Sequence, residues 1–139
     1  LYINGISPII FSQAFIPYLI RNNGHLVFIS SVAAERGRQS NFLYGAAKSM
    51  MSTYAEGLQH KFKNKEIFIT LIKLGPTKTK MLLDSNRRVL FSAKLETVAK
   101  AIVNAVDNKK FITYIPKKWS IIMFFIKALP RKVFNIFNL

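Results

Sequence analysis

Leu26-Val27-Phe28-Ile29-Ser30-Ser31-Val32-Ala33-Ala34 is an apolar run broken by two hydroxyls, and after a polar loop comes Tyr44-Gly45-Ala46-Ala47-Lys48-Ser49. From Leu26 to Ser30 the run is short and biased to β-branched and aromatic residues, as expected of a strand covered on both faces. The stretch around Tyr44 opens a helical pattern, with Leu43, Ala47, Met50, Tyr54, Leu58 and Phe62 on the expected inner face. Ser40 or Asn41 is placed to cap that helix. A buried strand followed by an amphipathic helix is the repeating unit of a parallel α/β sheet.

The rest of the chain continues the alternation. Residues 8–21 form a broad apolar helical pattern, in which Pro17 predicts a bend or an early end because it lacks an amide donor. Asn22-Asn23-Gly24 is a break. Ile67 to Ile72 reads as a second buried strand ending at Leu74-Gly75-Pro76, and a mixed segment begins at Thr77–Met81. Leu95 to Val106 is an amphipathic helix with Val98, Ala99, Ile102, Val103 and Val106 inward, and Phe111 to Ile115, closed by Pro116, is a third strand.

Half of the 139 residues are apolar, enough for a core in one domain. The absence of cysteine excludes disulfides and thiolate metal sites. His25 and His60 lie far apart without acidic neighbours, which makes them solvated or capping residues and not metal ligands. The sequence carries no signal-peptide pattern and no eighteen uninterrupted apolar residues. It opens at Leu1, inside an apolar segment, in the manner of a cut through a longer protein.

Net charge is +15 against six acidic residues, which favours phosphate, nucleic acid or an anionic membrane as partner. A lysine-rich surface with no dedicated partner is the plain alternative. The basic residues form no nucleic-acid-binding motif, so that partner is set aside.

Ser31, Tyr44 and Lys48 carry the chemistry. A lone Tyr-x-x-x-Lys says little in a chain with five tyrosines and many lysines, and Tyr114 with Lys118 is a decoy that spans Pro116. Tyr44 and Lys48 instead lie in a helical pattern, where residues four apart are neighbours. An ammonium about 4 Å from a phenolate, at an effective dielectric of about 20, attracts it by about 4 kcal/mol. That is enough to draw a phenol well down toward the working range of an acid/base. A hydroxyl at a strand end beside such a phenol suits proton delivery to a carbonyl oxygen.

Ile29-Ser30-Ser31-Val32-Ala33-Ala34 followed by Tyr44-Gly45-Ala46-Ala47-Lys48-Ser49 closely resembles the active-site segment of short-chain dehydrogenases/reductases. Asn4 falls where that family has its fourth catalytic residue. Gly75-Pro76-Thr77-Lys78-Thr79 resembles the family's Pro-Gly-x-x-x-Thr loop, with the first two residues inverted. The resemblance implies the C-terminal half of a doubly wound parallel-sheet (Rossmann-type) α/β domain, truncated at the N-terminus. The catalytic half is then 1–116, and 117–139 is an apolar, basic tail. NADH or NADPH is the implied cofactor, contacted by Tyr44, Lys48, Gly75, Pro76, Thr77 and Thr79. Tyr44 is the implied acid/base, and Lys48 tunes it while binding the nicotinamide ribose. Ser31 orients the carbonyl, and Asn4 holds a water that relays protons to Lys48. Homo-oligomers through the helices at 8–21 and 42–63 are implied as well.

A narrower resemblance joins Glu35–Gly45 and the tail (Tyr114-Ile115-Pro116, Ile122-Met123, Leu129–Phe134). These are similar to reductases acting on decaprenylphosphoryl-2-keto-erythro-pentofuranose. That implies a keto group on a polyprenyl-phosphate-linked sugar, cell-envelope biosynthesis, and a cytoplasmic protein at the inner face of the membrane. Another lipid or small ketone, and a non-catalytic remnant, stay open.

The six glycines, at 5, 24, 37, 45, 57 and 75, form no glycine-rich phosphate loop. The family places that loop before its catalytic asparagine, which implies about three preceding βα units of roughly 30 residues each. These 139 residues alone are then expected neither to hold the dinucleotide tightly nor to turn over. Trp119 to Leu129 is nearly all apolar; as a helix it reaches about 16 Å, half a hydrocarbon core. Two readings follow: a helix packed over the substrate pocket, or an interfacial anchor flanked by Lys117, Lys118, Arg131 and Lys132.

Overall fold

Asn22-Asn23-Gly24 ends the first helix, and Asn23 takes the left-handed conformation that asparagine tolerates, with φ of 50°. The computed structural model describes residues 1–65, 67–79 and 92–136. A π-helical turn (Tyr2–Ile6) leads into α1 (Ser7–Arg21), then β1 (His25–Ser31) and a 3₁₀ turn (Val32–Ala34). After these come α2 (Phe42–Lys61), β2 (Phe68–Leu74), α3 (Leu95–Asp107), β3 (Ile112–Ile115), α4 (Lys118–Ala128) and the short α5 (Arg131–Phe134). The mixed segment at Thr77–Met81 leaves the described residues after Thr79.

The three strands form one parallel sheet in the order β1-β2-β3, as the alternating pattern requires. Ser31 pairs with Leu74, and Leu74 with Ile115, so all three strands end at one level. On one face, Phe28, Ile69 and Leu71 pack with Ile16 of α1 and Met51, Ala55, Leu58 of α2. On the other, Ile72 and Ile115 meet Val98 of α3. A third cluster joins Val32 to Trp119 and Met123 of α4.

Four local expectations need correction. α1 continues through Pro17 to Arg21. Pro17 and Gln13, whose carbonyl it leaves unbonded, both lie on the exposed side, where water replaces the missing donor. With its preceding turn the segment Tyr2–Arg21 is long and apolar enough, by length and composition, to cross a membrane. Here Ile16 joins the core, and Leu19 and Ile20 pack against it.

The buried face of α2 agrees with the expected one at Ala47, Leu58 and Phe62, with Tyr54 packed against the core, and departs from it at two positions. Leu43 and Met50 are exposed, and the sheet receives Ala47, Met51, Ala55 and Leu58. Small residues let the helix lie close to the sheet, and closeness decides the face over bulk. In α3, Val98 and Ala105 are buried while Val103 is exposed. His25 is neither solvated nor a cap. Thr70 Oγ1 donates its proton to the Lys110 carbonyl (2.7 Å), so His25 Nε2–H donates to Thr70 (2.7 Å). Burial, and then Lys109, hold the imidazole below its ordinary pKa.

Lys73 of β2 is 6 % exposed, and its ammonium is shared between Glu35 and Glu56, the latter at 3.3 Å. Glu35 also receives Lys127 from α4 at 2.7 Å. Burial alone would raise the Glu35 pKa, but hydrogen bonds from Lys127 and Lys73 outweigh it and hold the carboxyl below its usual range. A depressed carboxylate contributes stability that is complete above the unfolded-state pKa and is lost as pH falls through the folded one. Glu35→Gln leaves Lys73 buried with one distant partner, and breaking such a pair costs about 3–5 kcal/mol. Urea unfolding should show that loss at neutral pH, and the variant's stability should lack the acid-side fall of the parent. Equal stability at neutral pH would dismiss the cluster as a determinant.

Candidate active site

The end of β1 is fastened to α2 by hydroxyls. Ser30 is buried, and its Oγ lies 2.6 Å from Ser52 Oγ; Ser52 donates to the Lys48 carbonyl at 2.8 Å. The Lys48 side chain returns the contact, with Nζ donating to the Ile29 carbonyl at 2.9 Å. One turn earlier Gly45 is buried, and a Cβ there would stand 2.8 Å from the Ala33 carbonyl oxygen. The turn of α2 that carries Tyr44 and Lys48 therefore lies directly against Ile29–Ala33.

Within that arrangement the Lys48 ammonium is 5.8 Å from the centroid of the Tyr44 ring. Burial lowers the Lys48 pKa. Tyr44 keeps 37 % of its surface exposed, so its phenol is reachable from solvent. Ser31 caps the 3₁₀ turn: its Oγ accepts from the Ala33 amide at 3.1 Å. Acceptance uses a lone pair and leaves the hydroxyl proton available to a further acceptor. Asn4 lies in the π-helical turn and is half-buried. Its neighbour Gly5 packs on α2, where a Cβ would collide with Met50 and stand 3.2 Å from the Ala47 carbonyl. Asn4 is thus carried to the same helix turn as Lys48.

Gly75 continues β2 one residue beyond the partner of Ser31, and its amide donates to the Ile115 carbonyl at 2.8 Å. Pro76, Thr77, Lys78 and Thr79 follow along the same sheet edge. Thr77 Oγ1 donates to the Gly75 carbonyl (3.2 Å), and Thr77 bridges to Ala93 as a short parallel pair. In open parallel sheets ligands bind outside the carboxyl ends of the strands. Ser31, Gly75 and the turn of α2 that carries Tyr44 and Lys48 lie at or against that end.

Of the two sequence readings of the tail, the helix packed over this edge is the one Trp119 follows, and the arginines that hold that helix were missed. Trp119 lies on Gly75, where any Cβ would collide with the indole. The indole N–H is buried without an acceptor among the described residues. Arg36 reaches the C-terminal carbonyls of α4, donating to those of Ile126 and Leu129 (2.7 Å for the latter), and stacks 4.0 Å over Phe134. Arg38, with its pKa lowered by burial, touches Met123 sulfur at 3.5 Å. The one available signal was the pair of arginines in a loop facing a tail whose last helical carbonyls need donors. The decoy resolves as expected: Tyr114 is a strand residue raised in pKa by burial and then by Glu35.

The chain matches the short chain dehydrogenase family over residues 1–89 and belongs to it. It is 28% identical over 128 residues to an uncharacterized oxidoreductase of Myxococcus xanthus, covering 88% of this chain and 49% of that protein. It is 32% identical over 114 residues to an uncharacterized oxidoreductase of Mycobacterium tuberculosis, covering 81% and 45%. Among solved structures, a short-chain dehydrogenase of Sphingobium yanoikuyae in complex with NADPH aligns with a TM-score of 0.74 at 16% identity. That alignment covers 92% of this chain and 55% of the other. The chain spans about half the length of the curated relatives it matches. Its fold is that of the corresponding half of a Rossmann-type dehydrogenase domain.

Two glycines of α2 separate packing from propensity. Alanine in a helix interior gains about 0.5–1 kcal/mol over glycine. Gly57 has nothing near its missing Cβ, so Gly57→Ala should stabilise by that amount. Gly45→Ala must push apart two backbones, a strain of about 1–3 kcal/mol, and should lose about 1–2 kcal/mol net. Denaturant midpoints of the two variants moving in the same direction would refute the close approach of α2 to the 3₁₀ turn.

Proposed function

We propose that this chain carries the proton-handling half of an NAD(P)H-dependent carbonyl reductase, with Ser31, Tyr44, Lys48 and Asn4 as its catalytic set. The observation that supports this most strongly is the Lys48 ammonium held beside the Tyr44 ring by the Ile29 carbonyl. Only one of its three N–H bonds is spent there, and two remain for the hydroxyls of a ribose. Gly75, Pro76, Thr77 and Thr79, after the end of β2, are the residues that would line the nicotinamide, with the Trp119 N–H, unpaired among the described residues, next to Gly75. The donor set fits NADH and NADPH equally.

A bound reduced nicotinamide supplies the hydrogen and electron pair that the carbonyl carbon receives. Tyr44 gives its phenolic proton to the carbonyl oxygen as negative charge develops there. The Ser31 hydroxyl, already accepting from Ala33, donates to the same oxygen and fixes its direction. Lys48 stabilises the phenolate that Tyr44 becomes. At the 5.8 Å to its ring centroid, an effective dielectric of about 20 gives about 3 kcal/mol of attraction. Asn4, carried against the Lys48 turn by Gly5, holds the water that returns a proton. The products are the alcohol and the oxidised nicotinamide, so charge and electrons balance.

The substrate we favour is a ketone on a polyprenyl-phosphate-linked sugar, used on the cytoplasmic side of the membrane. The Glu35–Gly45 loop and the tail carry that likeness, and the +15 charge suits a phosphate-bearing substrate. The exposed Phe11, Phe15, Phe42 and Leu43 of α1 and α2 support association into homo-oligomers.

Tyr44→Phe in the full-length protein should lower turnover by about 10²–10⁴-fold, the range of a lost general acid. Its stability should hardly change, because the hydroxyl makes no hydrogen bond among the described residues and Tyr44 is exposed. Turnover equal to wild type would reject the catalytic set. Comparing a polyprenyl-phosphate ketopentose with a steroid ketone and a short aliphatic ketone, each with NADH and NADPH, separates substrate class from reaction type. A preference for either of the latter two ketones would retain the reductase and discard the lipid-linked sugar.

A further inference from the structure

Helix α4 is apolar on both sides. Its inner face, Trp119, Ile122, Met123 and Ile126, follows a helical repeat and packs over Val32 and Tyr114. Its outer face repeats in the same way with Ile121, Phe124 and Phe125, which are 64%, 70% and 63% exposed. The two phenylalanine rings meet edge to face at 5.6 Å and present one continuous apolar ridge. Beyond the helix Ile136 is 77% exposed. A helix apolar all round needs an apolar neighbour on each side, and the protein supplies one.

Charge says what the other is. The chain has no acidic residue after Asp107. Lys127 is paired with Glu35, and Arg36 with the α4 carbonyls. Lys117 at the start of the ridge, and Arg131 and Lys132 beyond its end, are exposed. Aromatic side chains between cations are the composition of a helix lying in the plane of a membrane, with its rings among the acyl chains and its cations at the headgroups. At 11 residues, α4 is too short to span.

We infer that the outer face of α4 docks on a bilayer bearing anionic lipid, through Ile121, Phe124 and Phe125 between Lys117 and Arg131-Lys132. The inner face of the same helix covers Val32, next to Ser31, and Gly75. Docking therefore brings the membrane over the strand ends that carry the candidate site. The two sequence readings of the tail, packed helix and interfacial anchor, become the two faces of one helix. This inference rests on exposure and charge and is independent of which ketone is reduced.

Flotation of the full chain with vesicles of equimolar phosphatidylglycerol and phosphatidylcholine tests it, with pure phosphatidylcholine as reference. The chain should float with the anionic vesicles at low salt. Flotation should weaken at about 1 M salt, where the Debye length is about 3 Å. Phe124→Ser with Phe125→Ser should reduce the floated fraction at least tenfold. Lys117→Glu with Arg131→Glu and Lys132→Glu should abolish the preference for anionic vesicles. Trp119 fluorescence reports that α4 is still seated on Gly75 in both variants. Three results would overturn the inference: no flotation with anionic vesicles, flotation unchanged in both variants, or a serine variant that only converts a dimer of this chain to monomer on sizing.

Discussion

The close approach of α2 to the end of β1 is the constraint on which the rest depends. It needs a helix face built of small groups: glycine at 45, alanine at 47 and the Ser52 hydroxyl against Ser30. A bulkier face would hold the helix farther off, and Lys48 would then lose the Ile29 carbonyl at 2.9 Å. The amine would swing toward water, where its attraction for a phenolate falls severalfold with the higher dielectric. In the proposed reading, packing in this region would therefore tune the electrostatics of the Tyr44–Lys48 pair. Space left by missing side chains sets the distance between the helix and the strand.

The Glu35 cluster does for the tail what the serines do for α2. Glu35 follows the 3₁₀ turn that Ser31 caps, and it binds Lys73 from the sheet and Lys127 from α4. Two acids and two bases, Glu35, Glu56, Lys73 and Lys127, leave no net charge buried, which removes the usual objection to cations in a core. Arg36, the next residue, takes the carbonyls at the end of α4 that have no partner within the helix. The loop that leaves the candidate site is thus also the clamp that positions its roof.

The parallel sheet was legible in the sequence, and Ser31, Tyr44 and Lys48 could be singled out there as candidates. Their signals are local: a buried run, a helical repeat, and two polar groups one turn apart. The inner face of α2 was read correctly at Ala47, Tyr54, Leu58 and Phe62 and misread at Leu43 and Met50, because hydrophobic periodicity weights bulk and passes over Ala55. Tertiary packing rewards closeness instead. His25 was misjudged for a related reason, since its partner Thr70 lies 45 positions away and no local pattern announces it. The cluster around Lys73 was invisible in the same way. A lysine in an apolar run reads as an interruption until its acids are brought to it by the fold.

The Gly75-Pro76 order, inverted from the pattern it resembles, has a physical reason in the same packing. Gly75 does not have a positive φ, so glycine is not required there by backbone conformation. It is required by room, because the Trp119 indole lies where a side chain would be. A proline in that position would carry its ring into the indole and would lose the amide that donates to Ile115. Moving the proline one place on keeps its rigidity in the loop, and its carbonyl still accepts from Ala93 at 3.0 Å. The altered loop and the tail that covers it are therefore a single adaptation. The tail seats its one tryptophan on the sheet edge, and Gly75 leaves the space that the indole occupies.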